Sequence, residues 1–126
     1  MIPKYRAWDI DVKEMYKFET YEEISELFLA LDSDDSFYYV MQSSELKDDI
    51  GETLFEGDII LWTYSDGFED EGVAKIVFDK GMFKLLDINT GKEVWDSLFD
   101  CIENCSVYLQ GNIYKNPELL EVEEWQ

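Results

Sequence analysis

The sequence contains no histidine. That absence removes the side chain best suited to general-base work near neutral pH, and neither a Ser-His nor a Cys-His nucleophile can be assembled. Basic residues are also scarce, ten against thirty acids, for a formal net charge of −20. Gripping nucleic-acid phosphates needs a basic footprint, and docking on an anionic membrane needs the same, so both partner classes are excluded. There are two cysteines, Cys101 and Cys105, too few for a disulfide scaffold. A structural zinc ion would want four ligands, and the chain offers neither histidine nor a second cysteine pair. Their spacing is not the C-x-x-C of a redox motif either, so two reduced, mostly buried thiols are expected. No apolar run approaches the ~20 residues of a membrane span; "LFLAL" is among the longest. The opening "MIPKYRAWD" carries no apolar signal segment, and a soluble, intracellular protein is expected. The seven glycines never gather into a phosphate-binding loop, since "GDII" and "GNIY" hold one each. Without a base, a nucleotide loop or a metal set, the chain is expected to be no enzyme and to carry no cofactor.

What is present is a core. Of 126 residues, 46% are hydrophobic and 16% aromatic, enough to argue against disorder at this charge. A chain of this length buries roughly two-thirds of the surface it exposes when unfolded, and one domain spanning residues 1–126 is expected. "KYRAWDIDVKEMYKFE" reads as two strands with "DIDVKE" as the turn, placing Tyr5, Ala7 and Ile10 to one side of the first. Thr20 followed by Glu23 fits a capping box. Ile24, Leu27, Phe28 and Leu31 then recur at helical spacing, and the pattern predicts a helix over about 21–31 whose stripe is core. "FYYVM" (37–41) is a strand, "QSSELKDDIGET" a polar connection, and Ile59 to Tyr64 a central strand entered through Gly57 and Asp58. "SDGFEDEG", from Ser65 to Gly72, reads as a long acidic hairpin loop. "VAKIVF", "MFKLLDI" and "KEVW" follow as strands joined by "DKG" and "NTG" turns, then "DSLFDCIEN" as a short helix and "CSVYLQGNIY" as the last strand. Asn116 ahead of Pro117 closes that strand, and "PELL" starts a short helical turn. The fold class is mainly β: a small antiparallel barrel or sandwich with one capped N-terminal helix and a short C-terminal helical turn.

Candidate sites are few. "DSDDS", Asp32 to Ser36, invites a calcium loop, but the glycine and glutamate such a loop needs are replaced by Phe37 and Ser43. The acids of the hairpin loop, Asp66, Glu69, Asp70 and Glu71, form an acidic surface that would hold a hard cation only loosely; a solvated loop is the better account. Trp125, amid "EVEEWQ", is placed near the surface, where a tryptophan anchors a partner or a subunit contact. No metal is expected. The net charge is explained by solubility alone. A sharper reading is polyanion mimicry, because twenty charges match roughly ten base pairs of duplex. Mimicry requires that "DSDD", "FEDE" and "EVEE" share one face.

Four stretches carry a family likeness: "IPKYRAWD" followed by "KEMY", "ELKDDIGETLFEGDII", "VFDKGMFKL" and "GNIYKNPELLE". Together they resemble the YopX-like family of bacteriophage and prophage proteins over nearly the full chain. "QSSEL" departs from it, standing where the family tends to have a glycine-containing turn before "LKD". The resemblance implies a mainly β fold, no known catalytic residues, and a phage or prophage source, hence the cytoplasm of a bacterial host. The resulting expectation is a non-enzymatic accessory protein acting through an unidentified protein partner or as a homo-oligomer. The alternative is an acidic DNA-mimic inhibitor of a host nucleic-acid-binding enzyme.

Overall fold

The computed structural model describes residues 3–31, 38–65 and 69–120. Along them run β1 (Tyr5–Asp9), β2 (Glu14–Phe18), α1 (Tyr21–Leu31), β3 (Tyr38–Lys47), β4 (Thr53–Phe55), β5 (Asp58–Ser65), β6 (Glu69–Asp79), β7 (Met82–Asp87), β8 (Glu93–Val94), α2 (Leu98–Asn104), β9 (Ser106–Asn112) and a 3-10 turn at Pro117–Leu120. The fold is mainly antiparallel β, with the capped N-terminal helix and the C-terminal helical turn that the sequence predicts. It divides into two compact units, Met1–Ser43 and Ser44–Gln126.

In the first unit β1 lies between β2 and β3, antiparallel to both. Ala7 stands opposite Tyr16 and Val40, and Trp8 opposite Met15 and Tyr39. Flanked on both edges, β1 buries Arg6, Ala7 and Trp8 in succession. The β1–β2 turn needs no Asn-Gly pair. The Asp9 carboxylate accepts the Asp11 and Val12 amides at 2.9 and 3.1 Å, and Lys13 takes a left-handed φ of 58°, an Asx turn followed by one strained residue. Ile10, expected beside Tyr5 and Ala7, lies in this turn and is exposed.

The α1 cap forms as the sequence predicts. Thr20 Oγ1 accepts the Glu23 amide at 3.1 Å, while Glu23 Oε1 accepts the amides of Thr20 and Glu19 at 3.1 and 3.0 Å. Glu22 and Glu23 also sit at the positive end of the helix dipole. Leu27 is 1% exposed, α1 packs against β2, and the Phe28 ring meets Tyr5 edge-on at 5.6 Å. Phe28, expected in the core stripe with Leu27, keeps about half its surface in solvent.

The second unit holds the far end of β3 beside β4, and a five-stranded sheet in the order β8-β7-β6-β5-β9. Its core joins Leu54, Ile60, Trp62, Ala74, Ile76 and Leu85 from the strands to Leu98 and Cys101 of α2 and Val107 of β9. The α2 helix, capped by Ser97 accepting the Asp100 amide at 3.0 Å, lies over β7 and β9. A two-residue turn at Lys80 and Gly81, φ 53° and 82°, joins β6 to β7, the mirror-image turn that matches strand twist.

Three stretches differ from the sequence reading. "QSSELKDDIGET", expected as a connection, contains the end of β3 and the start of β4. β6 begins at Glu69, not after Gly72, and pairs Glu69, Asp70 and Glu71 with Ser65, Tyr64 and Thr63. Backbone pairing continues through an acidic run because the strand leaves the Asp70 and Glu71 side chains in water. β9 also stops at Asn112, before the Tyr114 expected in it.

Candidate functional site

The acidic surface predicted from the sequence is partly placed. Asp66 and Trp125 lie outside the described residues, as do the acids of "DSDD" and "EVEE". Glu69, Asp70 and Glu71 belong to β6, where Asp70 and Glu71 are both exposed. Successive strand residues point to opposite faces, so these two carboxylates diverge and offer no row of charge on one side. Among the described residues no group of acids or cysteines is arranged to hold a metal ion.

Three of the four segments that carry the family likeness lie in the second unit, and polar groups of two of them are occupied by backbone. Asp48 is buried; its Oδ1 accepts the amides of Ile50 and Glu52 at 3.1 and 2.8 Å, and its Oδ2 accepts that of Leu109 at 2.9 Å. Asp49 accepts the Val107 amide at 3.2 Å and donates its own amide to the Val107 carbonyl at 2.9 Å. Together they cover the outer edge of β9, the one turned away from β5. Asp58, 1% exposed, accepts the Phe55 amide at 2.8 Å and so closes the β4–β5 turn. Asn112 stands opposite Asp58 and accepts the amides of Tyr114 and Lys115 at 3.0 and 2.8 Å, while Asn116 reaches back to accept the Asn112 amide at 3.1 Å. Gly111 makes room for that reach, since a Cβ there would lie 2.8 Å from the Asn116 Cγ. The Ile113 amide donates to the Gly57 carbonyl at 2.9 Å, tying "EGDII" to "GNIYKNPELLE". These carboxylates and amides hold turns and an edge strand, and none is aimed at a ligand.

A nucleophile is equally hard to assemble from the thiols. Both cysteines are free, Cys101 buried and Cys105 half-buried. Burial, reinforced by the neighbouring Cys105, pushes the Cys101 thiol well above its ordinary range, and burial raises Cys105 too. A thiol held protonated is a poor nucleophile and a poor metal ligand. Beside them Trp62 meets Trp95 edge-on at 5.4 Å, and Trp95 leans on Tyr64 at 5.6 Å. The Trp62 ring covers Gly72 so closely that a Cβ there would sit 2.7 Å from it. Trp8 and Trp62 are thus core residues, and Trp95 is half-buried.

What the molecule does present is apolar surface. On α1, Tyr21 is 71%, Phe28 48% and Leu29 73% exposed. With Ser25 they follow i, i+4, i+7, i+8 spacing, a second stripe beside the inward one of buried Leu27 and half-buried Ile24 and Leu31. The sequence reading missed it because one helix carries both stripes, and "LFLAL" merges them. Glu22, Glu23 and Glu26 occupy the remaining face, and α1 contains no basic residue. In the second unit Ile50 and Phe99 are exposed singly. No helix among the described residues is long and apolar enough to cross a membrane.

Three comparisons bear on this arrangement. The family model described as YopX protein matches residues 4–121. No curated protein matches the sequence. Among solved structures, protein EF1440 from Enterococcus faecalis is similar at 25% identity and a TM-score of 0.62, over 96% of this chain and 99% of its own. Protein yopX from Bacillus subtilis is similar in fold, at 18% identity and a TM-score of 0.59, over 94% of this chain and 98% of its own.

Proposed function

The chain belongs to the YopX family, and we propose that it is a non-enzymatic accessory protein that works by contact with another protein. One observation carries the reading: α1 holds Tyr21 and Leu29 in solvent, 71% and 73% exposed, on a helix otherwise well anchored by Leu27. Aromatic and large apolar side chains kept in water on an ordered helix favour an interface. Following the likeness in the four motif segments, we take a phage or prophage as its source and the cytoplasm of a bacterial host as its setting. A homo-oligomer is the simplest form of such contact, opposed by a net charge of −20 on each copy.

Sedimentation velocity on the purified protein tests self-association, and affinity capture from bacterial lysate tests for a heterologous partner. The expected result is a monomer at micromolar concentration that retains one protein in stoichiometric amount. Substrate turnover that survives mutational controls would overturn the assignment. The charge also favours a second reading, an acidic inhibitor that occupies the nucleic-acid site of a host enzyme. Such a complex would be dispersed by duplex DNA and weakened steeply by salt.

A further inference from the structure

We propose that the exposed stripe of α1 is a docking surface for an amphipathic helix flanked by lysine or arginine on another protein. The proposal rests on the protein-contact reading above and names the chemistry of the partner. The stripe of Tyr21, Phe28 and Leu29 runs along most of an 11-residue helix, about 12 Å at 1.5 Å per residue. That length matches the i, i+3/i+4, i+7 anchors by which one helix lies along another. Phe28 is steadied by its edge-on contact with Tyr5, so one anchor is already ordered before binding. The flank decides the sign of the partner. Glu22 and Glu26, seven and three residues before Leu29, border the stripe, and both are exposed. With no lysine or arginine on α1, a second copy would set acid against acid, whereas a cationic helix would pair at the rim while its apolar face covers the stripe.

The test is fluorescence anisotropy with two synthetic peptides of identical composition, each about five helical turns. In one, leucines line a single face with lysines at its flanks; in the other the same residues are scrambled. The ordered peptide is expected to bind at least about tenfold tighter than the scrambled one. Replacing both Tyr21→Ser and Leu29→Ser should weaken it by about tenfold or more. Both side chains are largely exposed, so far-ultraviolet circular dichroism should be unchanged. Glu22→Lys with Glu26→Lys should weaken the lysine peptide and allow a glutamate-flanked version to bind. Phe99→Ser, on α2, should change nothing. Equal affinity for the two peptides, no binding of either, or binding indifferent to the α1 substitutions would overturn the proposal. A natural partner that is captured equally well by the Tyr21/Leu29 variant would leave the protein-contact reading standing and remove only the α1 face.

Discussion

Asp48 shows how a single side chain organises this fold. Its carboxylate gathers three amides, two from its own turn and one from Leu109, 61 residues away. Asp48→Ala leaves those part-buried donors without their partner, at a cost of about 1–3 kcal/mol by urea denaturation. Gly72 illustrates the opposite need, for space. A methyl there meets the buried Trp62 ring at 2.7 Å, so the ring or the strand must shift, and Gly72→Ala should cost about 1–3 kcal/mol. Glu45 is a third kind of case. It holds φ 63° inside β3, where Ser44 Oγ donates to the Leu54 carbonyl at 2.6 Å and accepts the Leu46 amide at 3.1 Å. This is where the sequence departs from the family's glycine-containing turn, and Glu45 adopts the left-handed conformation that glycine takes freely. Relief of roughly 1–2 kcal/mol of strain offsets the usual glycine penalty. Glu45→Gly should therefore leave stability unchanged or raise it, by up to about 1.5 kcal/mol. At the end of β9, Gly111 and Asn116 were legible in the sequence as a bend and a strand end. Asp48 was not, because one aspartate among thirty acids carries no mark until Leu109 is folded beside it.

At the scale of elements, α1 was the most readable, since its cap and its buried stripe are both local patterns. Leu27→Ala should cost about 2–5 kcal/mol, and Thr20→Ala about 1 kcal/mol. The cap also has a pH signature. The Glu19 and Thr20 amides hold the Glu23 carboxyl below its ordinary range. A lowered folded-state pKa contributes stability that is present above the unfolded carboxylate value and is lost as pH falls through the folded one. The stability gap between the parent and Glu23→Gln should accordingly be widest near neutrality and close in acid. α2 gives the converse case. Its Cys101 thiol is raised by burial, so folding keeps it protonated, and the resulting contribution is lost as pH rises past the unfolded thiol value. Cys101 should resist iodoacetamide in the native state and react once the chain is unfolded. The hairpin of β5 and β6 was the least legible element. "EDE", Glu69 to Glu71, has loop composition, yet its backbone pairs, because register is set by the partner strand and not by the charges.

The whole molecule is defined by its charge and its family. A net charge of −20 repels itself in the compact state, so the melting temperature should rise as salt is added from low to physiological ionic strength. Membership was readable from four segments, whose roles are now physical: edge cover, turn closure and the anchoring of the last strand. The interaction surface was not readable, because exposure of Tyr21 and Leu29 depends on which stripe of α1 the sheet takes. The acids predicted to form that surface are divided, with Asp70 and Glu71 on opposite sides of β6. The central claim, contact with a protein and not imitation of a nucleic acid, meets its most direct test in one competition. The complex captured from bacterial lysate is challenged with excess duplex DNA at physiological salt. Retention of the partner in stoichiometric amount is the predicted result; its release by DNA would contradict the claim.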